Sequence, residues 1–257
     1  MLIAIDIGNT NIDIGVFRDK DIIFKARLAT NTHRTEDQYA LEIKGIAELE
    51  NFELNYIDGA IISSVVPELT TAIKNAILRL TGIEAMILGP GIKSGLHIRI
   101  DNPAQLGADL VAGAVGAIDK YKLPCLVIDL GTATKISVID NNGAYLGCTI
   151  SAGVGISLNA LSGAASLLPA INLSLSDCPS FGTNTVSSMQ AGTILGTASM
   201  IDGLCDRINC SLANQINSIV ATGGYAENII RYCNNNISYE RNLVLEGLRL
   251  IYLKNVK

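Results

Sequence analysis

Histidine is close to absent from this chain: His33 and His97 are the only two among 257 residues. That scarcity argues against a histidine-built zinc site and against a Ser-His-Asp triad. Phosphoryl transfer, which needs mainly positioning and electrostatics, suits such a composition better. The six cysteines (Cys125, Cys148, Cys178, Cys205, Cys210, Cys233) include no CxxC pair, so free buried thiols in a reducing compartment are expected. Asp6 interrupts the apolar start, so no signal peptide is expected and the protein reads as cytoplasmic. No stretch is basic and the net charge is −5, which leaves nothing to attract nucleic acid or an anionic membrane. Residues 141–176 carry no charge at all, yet Gly, Ser, Asn and Thr recur and Pro169 interrupts. No run of about 20 apolar residues results, so a buried domain core or subunit interface is expected there and not a membrane span.

What the chain does contain is one short phrase written twice. Leu2-Ile3-Ala4-Ile5-Asp6-Ile7-Gly8-Asn9-Thr10 recurs loosely as Leu126-Val127-Ile128-Asp129-Leu130-Gly131-Thr132-Ala133-Thr134. Each copy is an apolar strand running into Asp, then Gly, then hydroxyl side chains, and a second β-rich run follows each. A carboxylate at a strand end can hold Mg²⁺, Gly admits backbone N–H groups close to phosphate oxygens, and Thr or Asn donates hydrogen bonds. The two aspartates lie 123 residues apart, about one domain length.

Periodicity predicts strands over 2–8, 12–17 and 21–29, a helix over 35–49, a strand from Asp58 stopped by Pro67, a helix over Glu68–Thr81 and a strand over Ala85–Leu88. A helix is expected over 101–120. The second half repeats three strands from 125 to 151, then helices near 153–167, 185–210 and 225–233, a strand over Ser218–Ala221 and a closing helix containing Leu243–Leu248. Duplicated strands with crossover helices predict an α/β fold of the ribonuclease-H-like, actin-like kind, with two half-domains around a nucleotide cleft. No linker marks the boundary, which falls between 112 and 124. We divide the chain into an N-terminal half, 1–116, and a C-terminal half, 117–257.

Nine pieces then occur in a recognisable order: Asp6-Ile-Gly-Asn-Thr10, Ser64-Val-Val-Pro67, Gly89-Pro-Gly-Ile-Lys-Ser-Gly-Leu96, Asn102-Pro103, Gly107-Ala-Asp109, Asp129-Leu-Gly-Thr-Ala133, Gly182-Thr-Asn-Thr185, Thr222-Gly-Gly224 and Leu245-Glu-Gly-Leu248. Together the chain resembles the type III pantothenate kinases along essentially its whole length. The resemblance implies transfer of the ATP γ-phosphate to the primary hydroxyl of pantothenate, giving 4'-phosphopantothenate, the first step of coenzyme A synthesis. It also implies a homodimer of the acetate and sugar kinase, Hsp70 and actin superfamily, using Mg²⁺ and a monovalent cation, K⁺ or NH₄⁺.

By the same resemblance Asp6, Ile7, Gly8, Asn9, Thr10, Asn11, Ile12 and Asp13 bind ATP and its phosphates, with Asp6 near the Mg²⁺, while Thr132 and Gly223 serve ATP from the second half. Asp129 is the expected monovalent-cation ligand, a hard oxygen for a hard ion. Asp109 is the expected general base, and Ile100, Gly107, Ala108, Asp109, Leu110 and Thr185 form the acceptor site. For Asp109 and Thr185 a helix-capping role stays open, since both stand at helix starts.

Four positions depart from the family pattern. Leu110 stands where Arg is usual, Ile100 where Tyr is usual, Lys135 where Thr is usual, and Ala152-Gly153 replaces Pro-Gly. A lost Arg contact to the pantothenate carboxylate would cost roughly 1.5–3 kcal/mol, about 10- to 150-fold in affinity. Two explanations stay open: Lys135, Arg99 or Lys93 supplies the charge, or the acceptor has changed. A kinase for another small hydroxyl acceptor and a non-catalytic nucleotide-binding regulator are the alternatives to the pantothenate reading.

Overall fold

The computed structural model describes residues 1–173, 178–213 and 215–256, and contacts divide the chain into two units. Of the uncharged 141–176 stretch, Ser174, Leu175 and Ser176 lie outside the described residues.

The first unit begins with an antiparallel meander of β1 (Leu2–Ile7), β2 (Asn11–Arg18) and β3 (Asp21–Ala29). Apart from Asp6, β1 is apolar throughout, as a strand covered on both faces must be. Ile3, Ile5 and Ile7 share a core with Tyr39 and Ile43 of α1 (Glu36–Leu49) and with Leu69 and Ile73 of α2 (Pro67–Thr81). Helix α1 starts where the sequence predicts because Thr35 and Gln38 cap each other's backbone N–H groups, at 3.4 and 2.9 Å. Strand β4 (Gly59–Ser64) lies parallel to β1 and is followed by β5 (Met86–Ile87), so the sheet order is β3-β2-β1-β4-β5. The segment read as one helix over 101–120 is divided. Asn102 accepts from the Ala104 N–H at 3.3 Å and caps a 3₁₀ turn over Pro103–Gln105, so α3 covers only Ala108–Lys120.

The second unit repeats this plan. Its sheet runs from the edge strand β6 (His97–Ile98) through the meander of β7 (Cys125–Leu130), β8 (Ala133–Ile139) and β9 (Ala144–Ala152). Helices α4 (Val154–Ala164) and α5 (Thr185–Ser211) follow, then β10 (Ser218–Thr222), α6 (Ala226–Ile230) and β11 (Ser238–Tyr239). Strand β10 is parallel to β7, as β4 is to β1. The order β9-β8-β7-β10-β11 therefore reproduces β3-β2-β1-β4-β5. Even the bulges correspond, each falling between the sixth and seventh residues of the second strand, at Val16/Phe17 and at Val138/Ile139. The α/β duplication inferred from the repeated phrase is present in the backbone.

The closing helix α7 (Leu243–Asn255) belongs to the first unit, which comprises Met1–His97, Asp101–Asp119 and Asn242–Lys257. The linear division at 116/117 assigns this helix to the other half, and packing explains the difference. A Cβ on Gly247 would lie 1.8 Å from the Ala112 carbonyl oxygen, and one on Gly116 would lie 2.5 Å from that of Leu243. Bare glycines thus let α7 touch the backbone of α3, which is why Leu245-Glu-Gly-Leu248 carries its glycine.

All six cysteines are free, but they are not uniformly buried: Cys125 and Cys205 are, whereas Cys148 and Cys210 are exposed. Burial pushes the thiols of Cys125, Cys205 and Cys233 up to about 12, so they stay protonated at neutral pH. Among the described residues no helix is long and apolar enough to cross a membrane.

Candidate active site

The first Asp-Gly-Asn-Thr turn joins β1 to β2. The Gly8 N–H donates to the Asn11 carbonyl at 2.9 Å, closing it tightly. Thr30, which sequence reading missed, holds the turn from outside. Its hydroxyl donates to the Gly8 carbonyl at 2.6 Å and its N–H to the Thr10 carbonyl at 3.0 Å. Gly8 is half-buried while Asn9, Thr10 and Asn11 are exposed, so this rim is available to a ligand. Ile7 and Ile12 are different, because their side chains are fully buried in the core and only their main chains can face a nucleotide. Asp6 is half-buried and stands opposite Asp13 in the antiparallel register. Asp13 accepts from Arg27 Nε at 2.6 Å.

The motif Ser64-Val-Val-Pro67 connects this turn to Asp109. The Val65 N–H donates to the Ile7 carbonyl at 3.0 Å, extending the β1–β4 pairing by one residue. Ser64 stiffens the bend by accepting from the Val66 N–H at 3.1 Å and from the Thr70 hydroxyl at 2.9 Å. On the other side of Val65 lies Gly107, whose Cβ would stand 3.8 Å from Val65 Cγ1. A single residue therefore separates the end of β1 from the first turn of α3, where Asp109 sits. One Asp109 oxygen accepts from the Leu110 N–H at 2.8 Å. That bond satisfies one of the N–H groups a helix start leaves without an intrahelical partner, and it orients the carboxylate. Gly107, Ala108, Asp109 and Leu110 are all half-buried.

The second turn, Asp129-Leu-Gly-Thr-Ala133, joins β7 to β8, and the Gly131 N–H donates to the Ala133 carbonyl at 3.2 Å. Thr132 is exposed at its tip. Gly153 packs beneath, since a Cβ there would come within 2.2 Å of the Thr132 carbonyl oxygen. The glycine of the altered Ala152-Gly153 pair is thus the part that the fold requires. Gly223 follows β10 beside the same strand end, with Thr222 in register with Asp129. Its φ of 99° and the 2.6 Å that would separate a Cβ from the Leu130 carbonyl both exclude a larger residue. Lys135, in β8, is the register partner of Asp129, and its Nζ lies 2.7 Å from Asp129 Oδ2.

The other acceptor-site candidates stand as follows. Ile100 is half-buried in the second unit. Thr185 is exposed at the start of α5, but the cap is Asn184, which accepts from the Ser187 N–H at 3.0 Å. Thr185 borders a groove shared with Leu161, Leu168, Met189, Gly192 and Met200. Of the three cations considered for the acceptor carboxylate, Lys135 is engaged by Asp129, Arg99 lies 3.6 Å from Asp140, and Lys93 is exposed, with its backbone held by the Asn255 side chain. One buried carboxylate that sequence reading passed over has a structural task. Asp202 accepts from the backbone N–H groups of Asn234 and Asn235 at 2.7 and 3.0 Å.

With this geometry in place, comparison with known proteins is informative. A family model described as type III pantothenate kinase matches residues 2–207. The curated type III pantothenate kinase of Halalkalibacterium halodurans is 39% identical over 256 residues, covering 100% of each chain. Among solved structures, the activator of 2-hydroxyisocaproyl-CoA dehydratase from Clostridium difficile, with bound ADPNP, aligns at a TM-score of 0.59 and 16% identity over 99% of this chain and 94% of that one. Component A of (R)-2-hydroxyglutaryl-CoA dehydratase from Acidaminococcus fermentans aligns at 0.57 and 17% identity over 99% and 98%. At those identities the structural likeness speaks for the actin-like fold.

Proposed function

The chain belongs to the type III pantothenate kinase family, and from that premise we propose how its residues divide the work. It is an ATP-dependent kinase that phosphorylates pantothenate in coenzyme A biosynthesis. The turns at 6–13 and 129–132, with Gly223, are assigned to ATP. Asp109 is assigned the pantothenate hydroxyl, which it orients and whose proton it accepts as the phosphoryl group is transferred. The observation that carries this assignment is the Val65 link, which fixes the Asp109 turn against the strand end bearing Asp6. Asp6 would hold the Mg²⁺ of Mg·ATP, an ion generally bound through one or two carboxylates together with substrate phosphates. The donor set fits that habit: Asp6 faces Asp13 across two strands, and among the described residues no dedicated cluster of three acidic, His or Cys ligands occurs. When bound, the metal neutralises charge developing on the phosphate oxygens.

Acceptor affinity is where this chain differs. Leu110 cannot pair with the pantothenate carboxylate, and Lys135 and Arg99 face Asp129 and Asp140. Leu110→Arg is therefore expected to lower the KM for pantothenate about 10-fold or more with little change in kcat. Steady-state ADP release is the measurement. An unaltered KM would reject the missing-anchor explanation, and turnover only with a different hydroxyl compound would reject pantothenate as acceptor.

A homodimer is proposed on the character of α5 and its surroundings. No charged residue occurs from Thr185 to Ile201, and Leu161, Phe181 and Val186 are exposed at 42, 76 and 42%. Such a surface suits a second copy of the chain. Sedimentation equilibrium is expected to give twice the mass of the chain at micromolar concentration. A monomer there would overturn the proposal. Use of ATP, together with cysteines that are all free, suits the cytoplasm.

A further inference from the structure

The two phosphate turns, alike in strand, bulge and register, differ in the charge set opposite the aspartate. In the first, Asp6 at the fifth position of β1 faces Asp13 at the third position of β2. In the second, Asp129 at the fifth position of β7 faces Lys135 at the third position of β8. The first turn thus opposes carboxylate to carboxylate and takes a cation from outside the pair, Arg27 on Asp13. The second supplies its own: Lys135 Nζ is 2.7 Å from Asp129 Oδ2, and the two side chains are only 15 and 23% exposed.

The monovalent cation implied at Asp129 by the family resemblance does not fit these residues. An alkylammonium has the charge of K⁺ and a similar size to it and to NH₄⁺, so all three compete for the same carboxylate face. A free ion must give up water and translational freedom to bind, whereas Lys135 is delivered to Asp129 by the β7–β8 register once the strands pair. A second monovalent ion would also meet the ammonium's like charge where little water screens it. We infer that Lys135 is a tethered replacement for the monovalent cation, so that this enzyme holds its second phosphate turn and turns over without K⁺ or NH₄⁺. This inference rests on the pantothenate kinase reading above and makes Lys135 a positioning residue acting through Asp129.

The test compares initial rates in KCl, NH₄Cl, NaCl and tetramethylammonium chloride at equal ionic strength, with saturating Mg·ATP and pantothenate. The wild type is expected to vary by less than about twofold, whereas Lys135→Ala loses roughly 10- to 100-fold in tetramethylammonium and recovers in K⁺ or NH₄⁺. A fold-wide packing defect would not be rescued by one ion and not another. Stimulation of the wild type by K⁺ of about 10-fold or more over tetramethylammonium would overturn the inference. Thermal unfolding with a non-hydrolysable ATP analogue gives a readout independent of turnover. The wild-type midpoint is expected to be the same in both salts, and a midpoint raised by K⁺ would refute the tethered-cation role. Absence of turnover in every salt would refute the kinase reading, while the unfolding comparison would still decide the cation question.

Discussion

Replacing Asp109 by asparagine is expected to leave the fold intact and to lower kcat at least ~10²-fold, within the ~10²–10⁴-fold reach of general-base catalysis. The substitution is nearly isosteric, and its amide oxygen can still accept from the Leu110 N–H that the carboxylate now holds at 2.8 Å. What asparagine lacks is the ability to take the proton of the acceptor alcohol. Phosphoryl transfer rewards alignment of the attacking oxygen as much as its deprotonation, so part of the loss is orientational. The KM for Mg·ATP should change little, because ATP is assigned to other residues. Steady-state kinetics with thermal unfolding as the folding control is the measurement. A kcat close to wild type would reject Asp109 as the general base.

Asp6→Asn should produce the complementary defect. Asp6 sits in the pleat between Asp13 of β2 and Ser63 of β4, so an isosteric amide preserves strand pairing. It removes the negative charge proposed to meet the Mg·ATP complex. Removal of one preorganised electrostatic contact typically costs ~10²–10³-fold, and a comparable fall in kcat/KM for Mg·ATP is expected. Pantothenate binding, assigned to the first turn of α3, should be nearly unaffected. Titration of Mg·ATP at fixed pantothenate, repeated at several Mg²⁺ concentrations, separates the two. Unchanged nucleotide affinity and turnover would mean that the turn at 6–10 has another purpose.

The contrast between these variants depends on features of unequal visibility in the sequence. The strand–Asp–Gly–hydroxyl phrase was legible because a strand covered on both faces must be apolar, which leaves its terminal Asp conspicuous. Apolar spacing announced α1, whose start the Thr35–Gln38 capping box fixes in the structure, and Pro67 marked the stop of the strand before α2. The start of α3 was misjudged by several residues. Asn102 and Pro103 favour a short capped turn, and apolar spacing over 101–120 does not reveal that break. Thr185 was weighed as an N-cap, but its neighbour Asn184 takes that place.

Local chemistry, then, was enough for the duplicated α/β plan, the two strand–Asp–Gly turns and the family, since each of these is written in contiguous residues. Only the folded chain decided three things that depend on contacts across distance. Val65 joins the Asp6 strand to the Asp109 turn because β4 runs one residue past its pairing with β1. The tail returns to α3 because two glycines remove the side chains that would hold the helices apart. Lys135 meets Asp129 because hairpin register is set by the length of the turn, and a six-residue separation in sequence does not say whether two side chains will face each other or miss.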